Sequence, residues 1–267
     1  MSGTVKYQYA DHPLEGGQST SMILGHQSLV LSGSKPWAIV QYDNREIPDD
    51  YKKLVEINKE YCKKYGYEYI FKSDTYELPH WWIKVKLCMD LLNSDKYAGI
   101  MWLDTDAAIF DCSKTLDDFT KDPKIDFFVS KDPDESRPVN SGVWIVKNTA
   151  IGKNIMNDWF NQYKKDNWVK ENDKWSVNPN LPDDEKGWGR INYEQGSLYD
   201  RIILNPTYKD NIIILPVKVL SHWKPTQNDG SFVGHFFRVL IPPTDLDDNP
   251  HTTEHYLEVF FKTRIVC

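Results

Sequence analysis

The sequence is poor in cysteine, has no excess of basic residues and contains no long hydrophobic run. Each absence removes a class of function. Cys62, Cys88, Cys112 and Cys267 lie far apart, with no C-x-x-C pair and no zinc-ligand spacing, a pattern that reads as buried free thiols in a reducing compartment. The 32 Lys and Arg stand against 39 Asp and Glu, a formal charge of −7, which is the wrong sign for a phosphate backbone and argues against nucleic acid as a partner.

The only early apolar stretch, residues 22–31, is interrupted by Gly25, His26 and Gln27 and has no basic flank, so it is neither a signal peptide nor a membrane span. The one Asn-x-Ser/Thr triplet, Asn205-Pro206-Thr207, is blocked for glycosylation by its proline. Together these features predict a cytoplasmic protein with no membrane span.

What is present is a globular composition of 267 residues, 40% hydrophobic and 27% charged. A chain of this length buries roughly three quarters of its unfolded surface without help from disulfides or a structural metal. Ten Trp and fifteen Tyr supply broad rings, which pack in cores and also suit the apolar faces of sugars.

Residues 1–34 carry no sustained period and read as an N-terminal extension. After them, Pro36 to Tyr42 reads as a buried strand. Pro48 to Tyr65 reads as a helix with Leu54, Ile57, Tyr61 and Tyr65 on one face and Gly66 as its stop. Tyr67 to Lys72 is a second strand, His80 to Leu92 a second helix, and Ala98 to Phe110 a third strand. Ile125 to Ser130 and Gly142 to Lys147 are further strands. Thr149 caps a helix with Ile151, Ile155, Trp159 and Tyr163 along one face. Trp168 to Arg190 has no period and is long enough for a functional loop or lid. A short helix at Tyr193 to Ile203, a strand at Ile212 to Leu215 and a terminal helix at Thr253 to Lys262, after the Pro242-Pro243 break, complete the chain. The alternation predicts an α/β fold with a mainly parallel sheet.

Within the third strand, Asp104 and Asp106 interrupt an apolar run. Residues two apart on a strand point the same way, so the two carboxylates are expected side by side, at the sheet edge where α/β proteins bind ligands. They repel each other unless a cation lies between them. Mg²⁺ or Mn²⁺ accepts such oxygens and keeps positions open for phosphate, which makes a diphosphate a better leaving group.

Four stretches in order carry a further signal: HWWIKVKLCMDLL (His80 to Leu92) followed by WLDTDA, then NSGVWIVKN (Asn140 to Asn148), YEQGSL (Tyr193 to Leu198) and FVGHFF (Phe232 to Phe237). In this order the chain resembles the GT-A glycosyltransferases, and most of all the retaining galactosyl-, xylosyl- and mannosyltransferases of glycosyltransferase family 34.

The resemblance implies a single GT-A domain over residues 35–267, Rossmann-like, with a nucleotide-binding half at 35–111 and an acceptor-binding half at 112–267. It implies that Asp104 and Asp106, with Thr105 between them, hold a divalent metal against the diphosphate of a nucleotide-sugar, and that His235 completes the metal site. Val40, Tyr42 and Asp43 fall where such enzymes hold the nucleobase and ribose. Lys84 matches a lysine that meets the nucleotide or its phosphates. Asn140, Ser141 and Gly142 match a loop that opens onto the donor sugar, where glycine permits close approach. Glu194 and Gln195 stand beside the anomeric carbon, with Glu replacing the family's usual Asp. Arg238 replaces a family glycine and would contact the diphosphate through its bidentate fork.

The function so implied is metal-dependent transfer of a hexosyl or pentosyl group from a nucleotide-sugar to a glycan hydroxyl. UDP is the commoner nucleotide of that family and GDP that of its mannosyl branch, and retention of configuration follows from the resemblance alone. Two rivals stand beside it. One is a D-x-D phosphohydrolase with Asp104 as nucleophile and Asp106 as acid. The other is a noncatalytic carbohydrate-binding module built on aromatic platforms.

Overall fold

The structure, a computed structural model, describes residues 35–132, 138–187, 189–222, 225, 230–236 and 253–267. The expected N-terminal extension, Arg238 and the Pro242-Pro243 break lie outside the described residues.

Strand β1 (Trp37–Tyr42) is buried along its whole length and leads to helix α1 (Asp49–Tyr65). Asp49 and Asp50 occupy the first turn of α1, and Lys63 and Lys64 the last, each matching the sign of the helix dipole at its end. Gly66 then adopts φ 70° and donates its N–H to Cys62 O, stopping the helix where expected. Strand β2 (Glu68–Lys72), helix α2 (His80–Asn93), strand β3 (Gly99–Leu103), strand β4 (Ala107–Ile109) and the single turn α3 (Leu116–Phe119) follow. Next come β5 (Phe127–Ser130), β6 (Asn140–Lys147), α4 (Ala150–Phe160), β7 (Trp168–Glu171), β8 (Lys174–Val177), α5 (Asp183–Lys186) and α6 (Glu194–Ser197). The chain ends with a wide helical turn at Leu198–Ile203, β9 (Ile212–Leu215), α7 (Val217–Leu220), β10 (Ser221–His222), β11 (Val233–His235) and α8 (Thr253–Thr263).

The central sheet has the order β2-β1-β3-β6-β5-β9. Only β6 runs against the others, antiparallel to both β3 and β5. This is the mainly parallel α/β architecture expected from the sequence. Alternation along β3 sends Ile100 and Trp102 to one core and Met101 and Leu103 to another. The first core, with Trp82, Trp144 and Trp159, lies on the α2 and α4 side; the second includes Tyr61 of α1. A small sheet, β10-β11-β4, stands at the end of β3, and α8 packs Leu257 and Phe260 against Phe110 and Phe236 beside it.

The structure corrects four expectations. Asp104 and Asp106 do not share a strand: the chain turns between β3 and β4, with Ala107 N–H donating to Asp104 O at 2.9 Å. The first part of the 168–190 segment is regular, because β7 and β8 form an antiparallel hairpin turning at Asn172 and Asp173, both at positive φ.

Thr149 caps α4 as expected, accepting from Gly152 N–H at 2.9 Å, but Ile151 is 38% exposed. The inner face runs instead through Gly152, Ile155, Met156 and Trp159; Gly152 packs so closely that a Cβ there would meet Lys147 O at 2.1 Å.

The fourth correction concerns the cysteines. Cys62 and Cys88 are buried and free, but Cys112 and Cys267 form a disulfide with Cα atoms 5.2 Å apart. Separation along the chain, 155 residues, hid the pair. The tail returns to the end of β4, where Ile265 N–H donates to Phe110 O at 2.9 Å and Cys112 N–H to Ile265 O at 3.2 Å. The thiol count therefore no longer supports a reducing compartment. Among the described residues, no helix is long and apolar enough to cross a membrane.

Candidate functional site

The site is built on the corner between β3 and β4. Asp104 N–H donates to Gly142 O at 2.8 Å, tying the corner to β6. Behind it lies a buried polar group. Gln41 Nε2 donates to Asp104 O at 3.0 Å, and Asn58 Nδ2 donates to Ala107 O at 3.0 Å. Asn58 Oδ1 accepts from Ile109 N–H at 3.0 Å, while Gln41 Oε1 accepts from Asn58 Nδ2 and from Tyr69 OH. Buried amides paired in this way hold backbone in one conformation.

Antiparallel pairing of β11 with β4 sets His235 opposite Ala107, and Phe236 N–H donates to Asp106 O at 2.9 Å. His235 Nε2 thereby comes 3.3 Å from Asp106 Oδ1 and 4.0 Å from Asp104 Oδ2. One ligand atom from each of Asp104, Asp106 and His235 lies within 4.8 Å of the others. Two half-buried carboxylates and one imidazole make a donor set that fits a hard or borderline divalent cation such as Mg²⁺ or Mn²⁺. Burial would lower the imidazole pKa, but Asp106 and Asp104 outweigh it and raise the value above 6.5.

Lys84 is buried, and its Nζ lies 2.8 Å from Asp104 Oδ1 and 3.4 Å from Glu194 Oε1. It faces acids from two sides rather than standing exposed on α2. Burial alone would lower the ammonium pKa; the two carboxylates more than offset it, so it is raised. Asp104 also accepts from Trp102 Nε1 at 2.7 Å. Burial pushes this carboxyl up, yet Lys84 and His235 hold it below the ordinary carboxylate value. Glu194 is pushed up by burial, which Lys84 and Ser141 do not cancel. The Lys84 ammonium lies nearer Asp104 than Glu194.

Ser141 joins this group to the next. Its Oγ donates to Glu194 Oε1 at 2.9 Å, and its backbone N–H donates to Gln195 Oε1 at 3.0 Å. Asn140 Oδ1 accepts from Gly142 N–H at 2.8 Å, and Asn140 Nδ2 donates to the buried Asp132 at 3.0 Å. Asn140, Ser141 and Gly142 belong to the start of β6 rather than to a loop.

The structure therefore brings together Lys84, Asp104, Asp106, Asn140, Ser141, Gly142, Glu194, Gln195 and His235. Thr105 turns the other way along the corner, donating its hydroxyl to Tyr42 O at 3.1 Å. Tyr42 donates its own hydroxyl to Asp74 O at 3.0 Å, and burial raises its pKa to about 12. Asp43 is gripped by Arg45 through Nε at 2.8 Å and an Nη at 2.7 Å; burial would raise its pKa, but these bonds lower it. Val40 is fully buried in the core.

Sequence reasoning missed Gln41, Asn58, Arg45 and Asp132. For the first two a signal existed: Gln41 is the one polar residue in the run WAIVQY, and Asn58 shares the inner face of α1 with Leu54 and Tyr61.

Among solved structures, the chain is similar to a glycosyltransferase involved in the glycosylation of the major capsid of PBCV-1, with TM-score 0.57 and 16% identity over 85% of this chain and 100% of that one. GlyE of Streptococcus pneumoniae TIGR4 gives TM-score 0.42 at 12% identity, over 86% of this chain and 60% of GlyE. Drosophila β1,4-galactosyltransferase 7, solved with manganese, UDP-Gal and xylobiose, gives TM-score 0.42 at 12% identity, over 83% of this chain and 79% of that one. No protein-family model and no curated protein matches the chain. The likeness to the PBCV-1 enzyme establishes a shared fold, the GT-A-like α/β fold of a glycosyltransferase.

Proposed function

On a glycosyltransferase fold, we propose that the chain is a metal-dependent glycosyltransferase that moves a sugar from a nucleotide-sugar to a glycan hydroxyl. The observation that carries this reading is the convergence of Asp104, Asp106 and His235 within 4.8 Å at the end of β3. Those residues would hold Mn²⁺ or Mg²⁺, and when bound the cation supplies charge neutralisation for a departing diphosphate. UDP as the nucleotide, with GDP as the alternative, and retention of configuration are supported by the four ordered sequence segments.

The chain's own residues supply the rest. Lys84 keeps Asp104 ionised and oriented. Ser141 holds Glu194 and Gln195 side by side, so that a carboxyl and a carboxamide face the sugar, where they would stabilise positive charge developing at its anomeric carbon. Asp43, Tyr42 and Thr105 form the nucleoside end of the site, next to the β3–β4 corner.

The test is incubation with a panel of nucleotide-sugars and Mn²⁺, scored by slow donor hydrolysis and by transfer. Asp104→Ala and Asp106→Ala abolish both; unchanged turnover in either overturns the metal assignment. Release of phosphate from a phosphomonoester, with no nucleotide-sugar consumed, would establish the phosphohydrolase instead.

A further inference from the structure

His235 sits on little secondary structure of its own. Its strand, β11, is three residues long and lies between the two residues of β10 and the three of β4. So short a sheet needs packing against another element to keep its shape. Helix α8 supplies that packing.

Phe260 of α8 is fully buried and meets the chain on both sides of His235. A Cβ on Gly234, the residue before His235, would lie 2.9 Å from the Phe260 ring, so the ring rests on bare backbone. The same ring stands 5.1 Å from Phe236, the residue after His235, and 5.7 Å from Phe110, which follows β4. One side chain therefore braces the strand that carries His235 against the strand that begins one residue after Asp106.

The brace is itself tied down. At 11 residues, α8 has a length at which a helix alone in water is marginal. The segment after it is joined to the end of β4 by the Ile265 hydrogen bonds with Phe110 and Cys112 and by the Cys112–Cys267 disulfide.

That covalent tie can be undone. Cys112 is buried and Cys267 exposed, so Cys267 Sγ is the sulfur open to attack. Lys64 Nζ lies 3.7 Å from Cys112 Sγ, where an ammonium favours a departing thiolate. A thiol such as glutathione attacks Cys267 Sγ, the S–S bond breaks, and Cys112 leaves as the thiolate. A second glutathione resolves the mixed disulfide and releases Cys267. Two glutathione thiols supply the two electrons and the two protons, and they leave as one oxidised pair.

We propose that α8 positions His235 and that the Cys112–Cys267 disulfide holds α8 in place, so the site binds its divalent cation tightly with the disulfide closed and weakly with it open. Phe260 is a positioning residue, acting through Gly234 and Phe236. The inference rests on the cation site of the glycosyltransferase reading and adds its regulation. A disulfide that merely stapled the tail would raise stability and leave cation affinity alone.

The test uses the full chain, with Mn²⁺ alone as the probe. Calorimetric titration, at a temperature where circular dichroism shows both forms folded, is expected to give about 10–100-fold weaker binding after reduction, the range for losing a group that orients a ligand. The double substitution Cys112→Ser and Cys267→Ser should match the reduced form. Phe260→Leu, with the disulfide intact, is expected to weaken Mn²⁺ binding about tenfold.

Reciprocity adds a readout that a simple staple does not move. In glutathione redox buffers, saturating Mn²⁺ should make the disulfide harder to reduce by the same factor by which closing it tightens Mn²⁺ binding, about 30 mV for each tenfold. Equal Mn²⁺ affinity in the two states, or a redox midpoint that Mn²⁺ does not shift, overturns the coupling and leaves the cation site standing. If the reduced form unfolds, Phe260→Leu decides alone, and wild-type affinity in that variant overturns the proposal. No Mn²⁺ binding by the oxidised chain overturns the cation site itself, and the coupling with it.

Discussion

A methyl group on Gly142 would lie 2.1 Å from His235 Cε1 and 2.7 Å from its Nε2. The start of β6 and the imidazole from β11 are in direct contact, with room for no side chain between them. The ring is buried and cannot swing away freely. Gly142→Ala is therefore expected to lower Mn²⁺ affinity about 10–100-fold, the range for losing a residue that orients a ligand, and to cost about 1–3 kcal/mol in overpacking. Calorimetric titration with Mn²⁺ measures the first; an unchanged isotherm would remove His235 from the ligand set.

The raised pKa of His235 makes a prediction with two signs. Its unfolded value is 6.5 and its folded value is higher, because Asp106 and Asp104 outweigh both burial and the nearby charge of Lys84. In the metal-free protein this group stabilises the fold below pH 6.5 and ceases to do so as the pH rises through the folded value. A cation needs the neutral ring, so Mn²⁺ affinity rises over the same window. Melting temperature measured in EDTA should show this loss as the pH is raised above 6.5, and the increment on adding Mn²⁺ should be larger at the alkaline end. Equal increments at both ends would contradict the assignment.

Lys84→Met leaves the buried Glu194 and the half-buried Asp104 with no ammonium between them. Breaking a buried pair from one side costs about 3–5 kcal/mol, and urea denaturation is expected to report a loss of that size. Adding Glu194→Gln, which removes one of the stranded charges, should restore part of it, since neighbouring sites do not add independently. A phosphate-binding lysine without these partners would give neither result.

The disulfide closes a loop of 155 residues between Cys112 and Cys267. Reduction, or the double substitution Cys112→Ser and Cys267→Ser, is expected to lower stability by about 2–5 kcal/mol. The tail should loosen first, because Ile265 is otherwise joined to Phe110 and Cys112 by two backbone hydrogen bonds. Limited proteolysis with and without dithiothreitol checks this. Identical cleavage patterns would show that α8 holds by packing alone.

Much of this molecule is legible from local pattern. WAIVQY and GIMWL are apolar enough to be buried strands, and two acids following the second of them stand out because charge at the end of such a run needs a reason. The turn that carries them was not legible, since alternation in a strand and a tight corner can both bring alternate carboxylates together. Partners distant in sequence were hidden for a different reason. Asp106 and His235 meet because β11 pairs with β4, and Lys84 meets Glu194 because α2 and α6 pack beside one another. Nothing in the spacing of those residues encodes such meetings, and the same holds for Cys112 with Cys267. Gln41 and Asn58 lie between the two cases: each is a polar residue on a face meant for the core, which is a sign that a buried backbone group elsewhere needs a partner.

That pair, with Tyr69, has one more consequence. The carbonyls of Asp104 and Ala107 and the amide of Ile109 are already satisfied from inside the protein, so these three backbone groups are spoken for before anything docks at this end of the sheet, and the corner keeps its shape without help from a guest.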